Sequence, residues 1–306
     1  MMKSPGVVLL FLDGVGIGRK DPERNPFFVA RLPHLKRLLD GNVLHRAHSR
    51  VLARRAAAGP VNATLGVAGL PQSGTGQTTI FTGVNAARII KRHFGPYPTT
   101  ELRPLIREKN IFAGLLGRGK RVVFANAFPR QFFDYIDSGT RRLTVTTMSC
   151  LFAGVPLLKA DDLRANRGIS ADLTRARWPE MGYQDMPMVS PGEAGGHLAA
   201  IAREHDFTLF EYWLTDHAGH SKDMQFATDV LERFDEFLGG YLADTDPDRI
   251  TTLLISDHGN IEDLSVKTHT RNPVPCIVMG TEKRKILDRI RNLTHITPVI
   301  TDLLLS

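Results

Sequence analysis

The chain has 306 residues, 42% of them hydrophobic and 23% charged, with a formal net charge of +7. This composition excludes a disordered or fibrous protein and allows a substantial core in one large domain or two small ones. The basic balance fits an anionic substrate or a solvated face, and no aromatic-basic interleaving supports specific nucleic-acid binding.

Cys150 and Cys276 match no metal or redox spacing, which points to a reducing cytosol and a cytoplasmic protein. The apolar run at 7–12 is too short for a signal peptide core or a membrane span, so no membrane partner is expected. It predicts instead a central parallel strand, apolar on both faces, that delivers Asp13 at its carboxyl end. Glycines 14, 16 and 18 do not open a dinucleotide-binding helix. The third is one position early, and Arg19-Lys20-Asp21-Pro22 is no helix start. They let the backbone leave the strand tightly beside Asp13.

A short helix is predicted over 32–39, with Pro33 in its first turn and Gly41 after it. Residues 44–70 carry weaker strand signals. The stretch 72–83 crowds hydroxyls and small residues ahead of an apolar helix start, where backbone N–H donors and a positive dipole end suit a phosphate. Read alone, it fits a Ser/Thr cap with turn glycines better. A helix over 102–116 and a strand over 121–125 follow.

Between 129 and 190 the periodicity dissolves, and some sixty residues are marginal for an independent core. We read them as a small inserted cap over one edge of the sheet and the active site, interrupting a core made of 1–128 and 191–306. Further on, 192–204 is helical and 207–213 is a strand leading into Thr215-Asp216-His217-Ala218-Gly219-His220. A long helix over 224–242 has an aromatic stripe that belongs to the core. The strand at 251–255 runs into Ser256-Asp257-His258-Gly259-Asn260, and His269 arrives from the loop before a strand at 276–279. A last helix starts at Thr297-Pro298. The alternation defines an α/β protein with a mostly parallel central sheet and helices on both faces.

Ligands in such sheets collect at the carboxyl ends of the strands. Asp13, Ser73 or Thr75, Asp216 with His220, Asp257 with His258, and His269 all fall there or in the loops that follow. Three Asp and three His provide for two divalent ions. Without a thiolate, Mn²⁺ suits them as well as Zn²⁺, and Mg²⁺ is within range.

Asp13-Gly14, Asp216-x-x-Gly219-His220, Ser256-Asp257-His258-Gly259-Asn260 and Thr268-His269-Thr270-x-Asn272-Pro273-Val274-Pro275 together resemble the alkaline phosphatase superfamily. More narrowly they resemble its metalloenzyme branch, which includes cofactor-independent phosphoglycerate mutase and phosphopentomutase. Leu70-Pro71-x-Ser73-x-x-Gly76 resembles the branch's nucleophile segment, and the ending at 296–304 its terminal helix. The resemblance implies one metal held by Asp216, His220 and His269, and a second held by Asp13, Asp257, His258 and the Ser73 oxygen. It makes Ser73 the metal-activated nucleophile, with Thr75 as runner-up, and implies a phosphoserine intermediate.

The implied activity is a two-metal phosphomonoester hydrolase or phosphotransferase acting on a small phosphorylated metabolite. The alternative is an intramolecular phosphomutase on a small phosphorylated acid or sugar. A remoter one is a catalytically inactive, metal-stabilised binding protein. Gln77 departs from the two mutases, which tend to carry a histidine there, and the short cap tilts the reading toward hydrolysis because a mutase must exclude water. Arg88, Lys91 and Arg92 after the nucleophile segment, and Arg130, Arg141 and Arg142 at the start of the insertion, are candidates for anion recognition. Oligomeric state is not encoded in any motif.

Overall fold

Strand β1 (Gly6–Leu12) is buried along its whole length, and this sets the architecture. Its alternate residues face opposite sides: Val8, Leu10 and Leu12 join one hydrophobic cluster, Val7, Leu9 and Phe11 the other. A strand with two apolar faces needs helices on both, and each such side chain contributes about 1.5–3 kcal/mol on burial. The computed structural model describes residues 6–139 and 142–305. Arg141 lies outside them.

Six further strands complete the sheet: β2 (Val51–Leu52), β3 (Ala56–Val61), β4 (Val122–Phe124), β5 (Phe207–Tyr212), β6 (Ile250–Ile255) and β7 (Val274–Met279). Their order is β2-β3-β7-β6-β1-β5-β4. β6, β1, β5 and β4 run parallel, whereas β7 is antiparallel to β6 and to β3. The sheet is thus mostly parallel at its centre and antiparallel toward one edge.

On one face lie the helices Pro191–Glu204 and Met224–Asp244, whose Leu198, Val230, Phe234, Phe237 and Tyr241 enter the first cluster. On the other lie Ser73–Thr82, Arg103–Lys109, Ile111–Leu116, Val145–Ala153 and Ile296–Leu305.

Local chemistry redraws several predicted elements. The helix expected over 102–116 breaks at Asn110, whose extended backbone (φ −69°, ψ 148°) starts a second helix. Its side chain caps Ala113 N at 3.0 Å and donates to Ile106 O at 2.7 Å. The weak strand signals at 44–70 resolve into β2 and β3, where small residues let Ala56–Val61 pack flat beside β7. Within 129–190, Val145, Met148 and Cys150 are built into the second cluster. Residues 158 and 169 bridge to 127 and 126 at the β4 edge.

Candidate metal centre

Because β1, β5 and β6 are parallel, their carboxyl ends open at one rim. Leu12 pairs with Tyr212 and Phe11 with Ile255, so Asp13 leaves β1 level with the residues that follow β5 and β6. The backbone of Asp13 is fixed from both directions: its N donates to Tyr212 O at 3.1 Å and its O accepts from Thr215 Oγ1 at 2.5 Å. Asp257 and His258 stand at the end of β6, both completely buried.

Two of the expected strand-end groups sit on helices instead. Asp216 and His220 belong to Leu214–Ser221, where the i, i+4 spacing puts both on one helical face. Ser73 is the first residue of Ser73–Thr82, entered from an extended Gln72.

Glycines permit the convergence. A Cβ at Gly14, which has φ +71°, would lie 2.5 Å from Asp216 Oδ1; one at Gly76 would lie 2.9 Å from Asp257 Cβ. Gly76→Ala is therefore expected to destabilise the fold by about 1–3 kcal/mol and weaken metal binding. Denaturant unfolding with a metal titration checks this, and an unchanged variant in both would contradict the close packing.

His258 Nε2 stands 2.9 Å from Ser73 Oγ, 3.2 Å from Asp13 Oδ1 and 3.6 Å from Asp257 Oδ2. Beside it, His269 Nε2 lies 3.2 Å from His220 Nε2 and 3.6 Å from Asp216 Oδ1, while His220 Nε2 lies 3.3 Å from Asp216 Oδ2. The rings of His258 and His269 stack at 3.8 Å, joining the two groups. Outer contacts orient the imidazoles: His269 Nδ1 meets Pro71 O at 2.8 Å and His220 Nδ1 meets Lys267 O at 3.1 Å. Ligand atoms of Asp13, Asp257 and His258 lie within 4.8 Å of one another, as do those of Asp216, His258 and His269.

The donor set fits divalent cations. Asp13, Asp257 and Asp216 meet no Lys or Arg among the described residues, and the buried Asp13 Oδ1 and Asp257 Oδ2 lack hydrogen-bond donors. Buried carboxylates without a cation are costly, and two imidazole nitrogens aimed at each other and at a carboxylate suit a shared cation.

The metal-free chain shows the cost as displaced protonation. Burial, then the charge of Asp257, pushes the Asp13 carboxyl up to about 8, and burial likewise raises Asp257. Burial opposes the charge on His258, but Asp257 and Asp13 push it up to about 10. Burial and the neighbouring His258 lower His269 to about 4. Burial alone would raise Asp216, yet its hydrogen bond with His220 and the charge of His258 hold it below the usual carboxylate range.

A cation at this site must therefore displace protons that Asp13 and His258 hold at neutral pH. Its apparent affinity at the Asp13, Asp257 and His258 group is expected to rise with pH between about 6 and 8, with release of at least one proton. Calorimetry in buffers of different ionisation enthalpy measures this, and a pH-independent affinity would contradict it.

The other predicted residues fall as follows. Thr75 is fully buried; its hydroxyl donates to Gln72 O at 3.1 Å and accepts from Phe94 N at 3.3 Å. Gln77 Nε2 donates to Asp13 Oδ2 at 3.3 Å, so it reaches that carboxylate directly. Arg88, Lys91 and Arg92 are exposed, and Arg92 lies over the Phe94 ring at 5.6 Å. Phe94 is in turn tied to the helix start by Thr75 N, which donates to its carbonyl at 2.9 Å. Arg130 is tied to Asp134 at 3.8 Å and, through its backbone N, to Tyr183 Oη at 2.8 Å.

Sequence reasoning missed several supports. Asn260 Nδ2 donates to Asp216 Oδ1 at 2.6 Å. Buried Glu262 accepts from Gly16 N, Asn260 N, Thr270 Oγ1 and Asn272 Nδ2, bracing the loop that carries His269. Buried Glu211 is pushed up to about 8 by burial and by Asp13. Its one signal in the sequence is a lone acid inside the apolar run of β5.

A family profile described as the metalloenzyme superfamily matches residues 190–306. The 2,3-bisphosphoglycerate-independent phosphoglycerate mutase of Synechococcus sp. (strain JA-3-3Ab) is 36% identical over 115 residues, 35% of this chain and 22% of that protein. The enzyme of the same name from Desulforudis audaxviator is 30% identical over 128 residues, 40% of this chain and 25% of that one. The chain thus matches a quarter or less of the length of these relatives.

Among solved structures, a Pyrococcus horikoshii protein superposes with TM-score 0.60 at 14% identity, covering 99% of this chain and 98% of that one. The alkaline phosphatase of the Antarctic bacterium TAB5 superposes with TM-score 0.50 at 12% identity, covering 99% of each chain. These two likenesses establish the fold. Among the described residues, no helix is long and apolar enough to cross a membrane.

Proposed function

We propose, from the premise that this chain is an alkaline-phosphatase-superfamily metalloenzyme, that it is a two-metal phosphomonoester hydrolase or phosphotransferase acting through Ser73. The observation that supports this most is Ser73 Oγ at 2.9 Å from His258 Nε2, at the start of a helix and against Asp13 and Asp257. Thr75 supports the choice by contrast, because both roles of its hydroxyl are already taken.

Asp13, Asp257, His258 and Ser73 would hold one ion, and Asp216, His220 and His269 the other. Bound cations would supply the positive charge that lowers the pKa of a hydroxyl and offsets charge on phosphoryl oxygens. Ser73 forms the bond to phosphorus as the ester oxygen leaves, and water or an acceptor hydroxyl then takes the phosphoryl group from Ser73. In the first turn of Ser73–Thr82 the N–H groups of Thr75 and Gly76 are taken by Phe94 O and Gln72 O, so only those of Ser73 and Gly74 remain for a phosphoryl oxygen. Mn²⁺ and Zn²⁺ are the metals the N/O donor set suits, with Mg²⁺ in range.

Arg88, Lys91 and Arg92 pair with no carboxylate among the described residues, and with Arg130 they are assigned to recognising the anionic substrate. A second reading, an intramolecular phosphomutase, is favoured by the names of the partial relatives. Measuring phosphate release beside phosphate migration over a panel of small phosphomonoesters, with Mn²⁺, Zn²⁺ or Mg²⁺ added, separates the two. Release is the expected result. Migration without release would replace hydrolase by mutase, and bound metal with neither would leave a binding protein.

A further inference from the structure

We infer that the chain carries a second ligand site, for a nucleoside polyphosphate, in a cavity at the end of the sheet opposite the metal centre. The inference stands apart from the phosphoryl-transfer reading above and does not depend on it.

Asp257 and His258 follow the carboxyl end of β6, whereas this cavity opens where β6 begins, at Ile250, and where the antiparallel β7 ends, at Met279. The length of β6 separates the two ends by roughly 20 Å. The cavity has a volume of about 550 Å³, within the range of small-molecule sites. Four segments wall it: helix Pro33–Leu38, the last turns of Met224–Asp244, the turn between β2 and β3, and the start of helix Lys283–Arg289. The first two approach closely, because a Cβ at Gly239 would lie 2.5 Å from the His34 ring. The floor is apolar: Leu38, Ile250 and Met279 are buried, and Leu242 packs against the same cluster.

Its mouth is cationic. Arg37, Arg54, Arg55 and Lys283 line it against one carboxylate, Asp248. None of these four cationic side chains has an ion-pair or hydrogen-bond partner among the described residues. The acids next to them are engaged elsewhere. Asp40 accepts from the backbone N of Arg54 at 2.9 Å, and Glu282 is bound by Lys285 at 2.5 Å. Arg54 and Arg55 occupy the β2–β3 turn, which Ala53 N closes by donating to Ala56 O at 2.9 Å. Such a turn is served by Asn, Asp or Gly, and two adjacent guanidinium groups repel each other there. An anion held between them offsets that repulsion. Unpaired cations above an apolar floor fit an anion with an apolar body. A nucleoside polyphosphate supplies both, with phosphates for the guanidinium forks and a base for the floor. Asp248 then suits a ribose hydroxyl and keeps phosphate to the arginine side.

The test is calorimetric binding of ADP, pyrophosphate and adenosine to the Ser73→Ala protein, metal-loaded and after chelation, with hydrogen exchange to map the contact. ADP binding is expected to survive chelation and to be about tenfold or more tighter than that of pyrophosphate or adenosine. Protection should fall on residues 34–38, 53–56 and 279–283. The double variant Arg54→Gln, Arg55→Gln should weaken ADP about tenfold or more. Its metal content and melting temperature should match the parent, because both side chains are exposed and unpaired.

Absent ADP binding, binding that disappears on chelation, or binding that the double variant leaves unchanged would overturn the inference. Protection confined to the segments around Ser73 and His258 would do the same. So would pyrophosphate binding as tightly as ADP, since the apolar floor would then contribute nothing.

Discussion

Ser73→Ala is expected to keep its metal and lose turnover by roughly 10³-fold or more, the scale seen when a nucleophile is removed from an otherwise intact site. The substitution deletes one oxygen at the first position of Ser73–Thr82, and alanine is a good helix former, so the helix itself should persist. Asp13, Asp257 and His258 remain to hold an ion. Thr75 is no substitute, because its hydroxyl is engaged at 3.1 Å with Gln72 O and at 3.3 Å with Phe94 N. Metal analysis and turnover on the same sample decide the matter. Unchanged turnover would move the nucleophile away from Ser73.

Removing the metals is expected to lower the melting temperature by about 5–10 °C relative to protein with metal at a hundredfold excess over its dissociation constant. Ligand binding at that excess is worth about 2.7 kcal/mol, and 1 kcal/mol moves a large domain by about 2–4 °C. The structural cause is Asp257, wholly buried with Oδ2 lacking a donor, beside Asp13. In excess metal, Asp257→Asn should lose most of the gain, since it removes an anionic donor from the ion's surroundings; in chelator it should lose only what Asp257 gives to His258. Scanning calorimetry of both proteins in both conditions tests this. A parent that melts at one temperature with and without metal would return Asp257-His258 to a strand end of no special chemistry.

Much of this arrangement is legible before folding is considered, because it depends on short-range features. A run of apolar residues ending in Asp13 or Asp257 announces both a buried strand and what it delivers, and parallel strands bring such ends to one rim. Partners that depend on tertiary approach are harder to see. Glu262 is one acid among many in the sequence, and becomes a hub only because Gly16, Asn260 and Asn272 close around it. Thr215–His220 reads as a loop after a strand, yet it is helical, and the i, i+4 spacing that aligns Asp216 with His220 depends on that. Loss of periodicity at 129–190 likewise hides Val145–Ala153, whose buried face is supplied by neighbours distant in sequence. Arg271 carries no signal alone, since the carbonyl it reaches is that of Gly69, 202 positions away.

In the proposed reaction Ser73 itself takes the phosphoryl group. It is tested most directly by acid-quenching the metal-loaded protein during turnover of a phosphomonoester and mapping the phosphorylated residue by mass spectrometry. The expected result is phosphate on Ser73, appearing only with divalent metal present. Phosphate on Thr75, or labelling of Ser73 without metal, would contradict it.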